Sequence, residues 1–264
     1  MPFVILFVAA AVIAGSVMGT YIGMLGGTDP AAKVLFATHL LSASVMAVPG
    51  SIVLAKMLCP QTEEATDHVA ISGKGKENSN ILDAISSGTV TGVKLMTNIA
   101  AMLLVFISLV ALANYITEGV IGRYTGLNDW IVKITDGKAQ GLTFQFILGV
   151  ITSPFMWLIG VPSQDIMLVG SLLGQKTILN EFVAYFQLQQ WKDAGLFMYE
   201  KSILMSTYIL CGFANISSIG ILLGGLGVLA PEKRGLISRI GVPAMIGGAL
   251  VSVLSATIIG MILG

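Results

Sequence analysis

The chain has 264 residues, 55% of them hydrophobic and 11% charged, with 14 basic and 14 acidic side chains and a mean hydropathy of +0.88. A soluble domain carries about 25% charged residues, so this composition excludes a water-covered globule and makes a lipid bilayer the solvent for most of the surface. The balanced charge also excludes the basic face that a nucleic-acid partner requires.

In chain order, the opening "MPFVILFVAAAVIAGSVMG" lacks a basic start and stays apolar past any cleavage site, so it reads as a span rather than a signal peptide. A spanning helix needs about 20 apolar residues. Candidates are 3–25, 34–58, 95–116 and 242–263. The sequence therefore predicts an all-α polytopic membrane protein in four parts. Residues 1–58 hold an interrupted helix and the span after it. Residues 59–94 hold the polar link "PQTEEATDHVAISGKGKENSN" and an amphipathic surface helix over 82–95. Residues 95–141 hold a further span and link. Residues 142–264 hold a re-entrant hairpin, a helix carrying Glu181, an interrupted helix and a last span.

The hairpin is predicted over 142–160, because "TSP" at 152–154 divides that run into halves of about 15 Å, half a bilayer each. A non-helical tip at that depth has to be buried in protein. Residues 162–188 then read as a helix capped by Ser163 and weakened near "GSLLGQK". The run 203–229 is cut by "CGFANISSIG". In "PEKRGLISR", Lys233, Arg234 and Arg239 face a single acid, so the positive-inside rule makes this link cytoplasmic and leaves Gly264 on the far side. "IAGSVMGTYI" and "FANISSIGIL" pair as matching interruptions of an inverted repeat, each followed by a link and an apolar helix.

Within this apolar frame Glu181 stands out, in "TILNEFVAYF". An acid at the centre of a spanning helix costs about 2.5–3.5 kcal/mol on insertion scales, so it faces a cavity or a partner. The residues alone leave two readings open, a structural hydrogen bond to a neighbouring helix or a ligand site. Asn215 and Ser218, three apart, share a face of a regular helix, and both helix packing and polar binding fit them. Gly15 beside Ser16 allows a break whose freed carbonyls suit a hard cation. Cys59 and Cys211 show no metal-ligand spacing and read as small buried residues. "GKGKE" lacks the pattern of a phosphate loop. His39 reads as a hydrogen-bonded helix residue. No nucleophile, base and acid share a plausible depth, so no enzyme and no cofactor are predicted.

Four segments carry a resemblance: "LTFQFILGVITSPFMWLIGVPSQD", "GSLLGQKTILNEFVAY", "CGFANISSIGILLGGLGVLAPEKR" and "IAGSVMGTYI". On these the chain resembles the concentrative nucleoside transporter family, in order and over essentially its whole length. The resemblance implies a cation-coupled symporter of the plasma membrane (the inner membrane in a bacterium) that assembles as a homotrimer, with one nucleoside site per protomer. It further implies that Glu181, Asn215 and Ser218 bind the ribose, that Phe213 and Val17 lie near the base, and that the coupling ion is Na+ or H+. A Na+ site would use backbone oxygens near Val12 and Ile13 and the Ser16 hydroxyl. The family's first hairpin, with its Gly-Gln-Thr-Glu type motif, has no counterpart here, and the Gln-Thr-Glu at 61–63 lies in a polar link. The expectation is a C-terminal core that lacks an N-terminal portion, or a truncated or split subunit with no transport of its own.

Overall fold

A computed structural model describes residues 11–12, 15–58, 60, 80–135, 137, 139–216, 218–219 and 234–264, and α-helix dominates them. α1 (Gly15–Gly26) ends at Gly27, whose φ of 55° turns the chain where a side chain would be strained. α2 (Pro30–Leu58) starts at once. The Asp29 carboxylate accepts the amides of Ala31 and Ala32 at 2.9 and 3.3 Å, and proline takes the first helical position, where no amide partner exists.

α3 (Ile81–Asn114) is capped by Asn80, whose side chain accepts the Asp83 amide at 2.9 Å. It runs on as π-helix over Tyr115–Gly122, then a turn at Arg123–Thr125 leads to α4 (Leu127–Ile134). After these come α5 (Phe144–Leu158), α6 (Ile166–Ile178), α7 (Glu181–Asp193), α8 (Glu200–Leu210) and α9 (Arg234–Ile262).

The chain divides into two units, Met1–Gln61 with Gln145–Gly264, and Thr62–Phe144. In the second unit Asn128 gathers the loops. Its amide nitrogen donates to the Glu118 carbonyl at 3.0 Å and its oxygen accepts the Leu142 amide at 2.9 Å. Asn114 likewise accepts the Phe144 amide at 2.7 Å.

In the first unit α1 packs on α2 and α7, α6 on α7 and α8, and α8 on α2 and α9. Tyr21, Leu40, Leu172, Tyr185, Met205 and Ile209 meet in its core. Pro30–Leu58 and Ser238–Ile262 are long and apolar enough to cross a bilayer. Val34, Val45 and Val53 on α2 are exposed, an apolar surface that suits lipid. α2 and α9 each have 29 residues and lie against one another. One basic residue ties three helices together: Lys192, in the last turn of α7, donates to the Leu25 carbonyl near the end of α1 at 2.7 Å and lies over the Phe36 ring of α2.

Three expectations are corrected. "TSP" does not interrupt its run. Residues 152–154 lie inside α5, where Thr152 and Ser153 return their hydroxyls to the carbonyls of Leu148 and Gly149 at 2.8 and 2.6 Å. This small-residue patch is a packing surface: a Cβ on Gly170 would come within 2.6 Å of the Thr152 hydroxyl. The helical hairpin is α6–α7 instead. Each arm has 13 residues, about 20 Å and too short to span. The predicted helix over 162–188 therefore breaks, at Leu179–Asn180 rather than near "GSLLGQK". Among the described residues Ser163 bonds the neighbouring Gln164 side chain and caps no helix, and the position before α6 is Asp165. The third correction is α3. Its 34 residues extend about 51 Å, so the predicted surface helix over 82–95 and the span after it are one helix, and the boundary drawn at 94 falls inside it.

Candidate binding site at a hairpin tip

The turn Leu179–Asn180 reverses the chain, and Asn180 caps α7 by accepting the Val183 amide at 2.9 Å. Glu181 is thus the first residue of α7, in the turn where unpaired amides and the helix dipole favour negative charge. The neighbouring helix is broken as predicted: α8 stops at Leu210, and Gly212, with φ of 109°, carries the chain through a bend. Asn215 then starts a new helical turn. Its side-chain oxygen accepts the Ser218 amide at 2.7 Å, and the Ser218 hydroxyl donates to the Asn215 carbonyl at 2.7 Å.

These two helix starts meet. The Asn215 amide nitrogen donates to the Glu181 carboxylate at 2.7 Å, across 34 positions of sequence. Glu181, Asn215 and Ser218 are 4%, 1% and 3% exposed, so the cluster is sealed from the outside of the unit. A carboxylate offers about four lone-pair sites, and the Asn215 donor takes one of them. The arrangement can hold an anion in place and still accept hydrogen bonds from two adjacent hydroxyl donors, each strengthened by the charge.

The sequence reading missed Tyr21. It is fully buried on α1, stacks on Tyr185 at 4.1 Å, and turns its hydroxyl toward Glu181 without closing a full hydrogen bond. The Tyr185 hydroxyl donates to the Thr207 carbonyl at 2.8 Å, whereas the Tyr21 hydroxyl finds no such partner among the described residues. A lone tyrosine amid "GSVMGTYIGMLG" was the available signal. Val17 lies four positions before Tyr21 on α1, on the same face and half-buried against the core. Phe213 is half-buried inside the break, and its carbonyl accepts the Asn215 amide at 3.0 Å.

Of the predicted ion ligands, only Val12 lies among residues whose surroundings are described. Val12 lies in a bend after helical Ala11 and packs with Ala47 and Val251. Ile13 and the Ser16 side chain lie outside the described residues. Among the described residues no His, Cys, Asp or Glu group is arranged to hold a metal. His39 bonds the Tyr208 hydroxyl at 3.1 Å, as expected of a helix histidine, and Cys211 is buried and free; Cys59 lies outside the described residues.

Comparison with known proteins gives this geometry a context. Residues 39–260 match the family model described as Na+ dependent nucleoside transporter C-terminus. An uncharacterized transporter of Haemophilus influenzae is 38% identical over 99% of this chain, which spans 58% of that protein. Nucleoside permease NupC of Helicobacter pylori is 35% identical over 99% of this chain and 57% of its own length. Sodium/nucleoside cotransporter 1 of Rattus norvegicus is 37% identical over 96% of this chain and 38% of its own length. The solved structure of CNTnw in an inward-facing substrate-bound state covers the whole chain with a TM-score of 0.77 at 33% identity, over 57% of CNTnw.

Proposed function

Because this chain belongs to the Na+ dependent nucleoside transporter family, we propose that it forms the ribose-gripping core of a cation-coupled nucleoside symporter in the bacterial inner membrane. The observation that carries the reading is the buried Glu181 carboxylate, held between two helix starts by Asn215. Vicinal ribose hydroxyls are a matched pair of donors for it, and the Ser218 hydroxyl adds a third polar partner. Val17, near the start of α1, and Phe213, in the break after α8, are apolar and half-buried, which suits contact with the flat nucleobase. The coupling ion is Na+ or H+, and the names of the family and of the rat cotransporter favour Na+. Backbone oxygens near Val12 and Ile13 with the Ser16 hydroxyl are the proposed ion ligands. A homotrimer is the proposed assembly, with 231–239 on the cytoplasmic side.

Uptake of radiolabelled uridine by cells expressing the complete gene tests this. We expect saturable uptake that falls when external Na+ is replaced by choline at constant pH. Uptake that ignores Na+ but follows the proton gradient would move the coupling to H+. No nucleoside uptake and no nucleoside binding to the purified protein would overturn the reading.

A further inference from the structure

Lys176 is fully buried, and among the described residues the single ion pair joins Lys192 to Asp193, far along α7. Its ammonium is satisfied by oxygens instead. It donates to the Ile209 carbonyl at 2.7 Å and the Ser252 hydroxyl at 3.1 Å, with the Cys211 carbonyl at 3.4 Å. Ser252 in turn donates to that Cys211 carbonyl at 2.6 Å. Ile209 and Cys211 are the last residues before the break, where helical carbonyls have no amide to receive and the dipole is negative.

The other end of α8 has the complementary device. Asp165, buried just before α6, accepts the amides of Met198 and Tyr199 at 3.0 and 3.1 Å, at the start of α8. Asp165 and Lys176 stand 11 residues apart, and α8 is 11 residues long. One arm of the hairpin therefore grips the whole neighbouring segment, its acid on the positive end and its base on the negative end.

We propose that Lys176 is a built-in cation that fixes the second helix break, a positioning residue that holds Asn215 against Glu181 with no bound ion needed at that end. This rests on the ribose-site reading only for its consequence in binding; the positioning itself is independent of any substrate. Three residues separate the anchored Cys211 from Asn215, so a carbonyl anchor at one limits the travel of the other. Without the ammonium, two carbonyls and a serine are left to share one hydroxyl proton in a dry interior.

The test reads the break directly through the buried Cys211 thiol. In a background of the complete gene product in which every cysteine but Cys211 is replaced by serine, N-ethylmaleimide should label Cys211 slowly. Lys176→Met should speed that labelling by about 10-fold or more, the scale expected when buried acceptors lose their donor. Lys176→Ala should behave alike and be slowed again by propylammonium, which restores the missing side-chain atoms, but not by propan-1-ol, which lacks the charge. Ser252→Ala, a smaller change that keeps the protein testable if Lys176→Met does not accumulate, should give an intermediate rate. Uridine affinity should fall as Cys211 labelling speeds up. If the wild type binds no nucleoside, the ribose reading fails while the labelling series still decides the role of Lys176. Unchanged Cys211 labelling in Lys176→Met, or in Ser252→Ala where that variant must stand in, overturns the proposal, as does rescue by propan-1-ol equal to that by propylammonium.

Discussion

Two buried charges flank the tip of the α6–α7 hairpin, five residues apart, and the protein treats them differently. Lys176 has three donors and three oxygens around it, all supplied by the fold. Glu181 has one bond from Asn215, a tyrosine hydroxyl nearby that does not close on it, and acceptor capacity to spare. A buried charge whose valences are filled internally acts on structure. One left short among helix starts keeps acceptor capacity that the proposed ligand would use. The contrast separates the two ends of a single turn into a fixed end and a proposed binding end.

The comparison is broken most severely by exchanging the phenotypes. Glu181→Gln should weaken uridine binding by roughly 100-fold, since charge-assisted bonds to two hydroxyls are worth about 1.5–3 kcal/mol each, while thermal stability stays close to wild type. Lys176→Met should instead lower the unfolding temperature clearly, with the loss of uridine affinity following from the loosened break. Titration calorimetry and thermal unfolding of the two purified variants check the pair, and a loss of stability in Glu181→Gln matching that in Lys176→Met would erase the distinction. Next in size, Asn215→Ala should weaken binding by about 10-fold, because it removes both the donor to Glu181 and the cap of the turn after the break. Tyr21→Phe sharpens the picture of the unfilled carboxylate: losing a hydroxyl that closes no bond should change stability by less than about 0.5 kcal/mol. Smallest in its reach to binding, Asn180→Ala should cost about 1 kcal/mol of stability through the α7 cap, readable by thermal unfolding.

The buried cluster was legible in the sequence because a carboxylate has no bland place in an apolar run, and because "FANISS" pairs a capping asparagine with a serine three residues on. The hairpin itself was misplaced for a physical reason. Proline with serine and threonine looks like a break, yet Thr152 and Ser153 feed their hydroxyls back to their own helix, and their small size lets α6 approach. The real turn was hidden because hydrophobic periodicity runs straight across Leu179. Only the pair "NE", a cap followed by an acid in the first turn, marked it. Lys176 was invisible as a functional residue, since its partners are backbone carbonyls and a serine at positions 209–252, and no local pattern announces a carbonyl as a ligand.

The most direct measurement of the central claim is uridine binding to purified wild type and Glu181→Gln side by side. We expect saturable binding to the wild type, reduced about 100-fold by a change of one oxygen to nitrogen in a protein that remains folded. Equal affinity in the two would mean that the carboxylate does not grip the sugar, and would contradict the site described above.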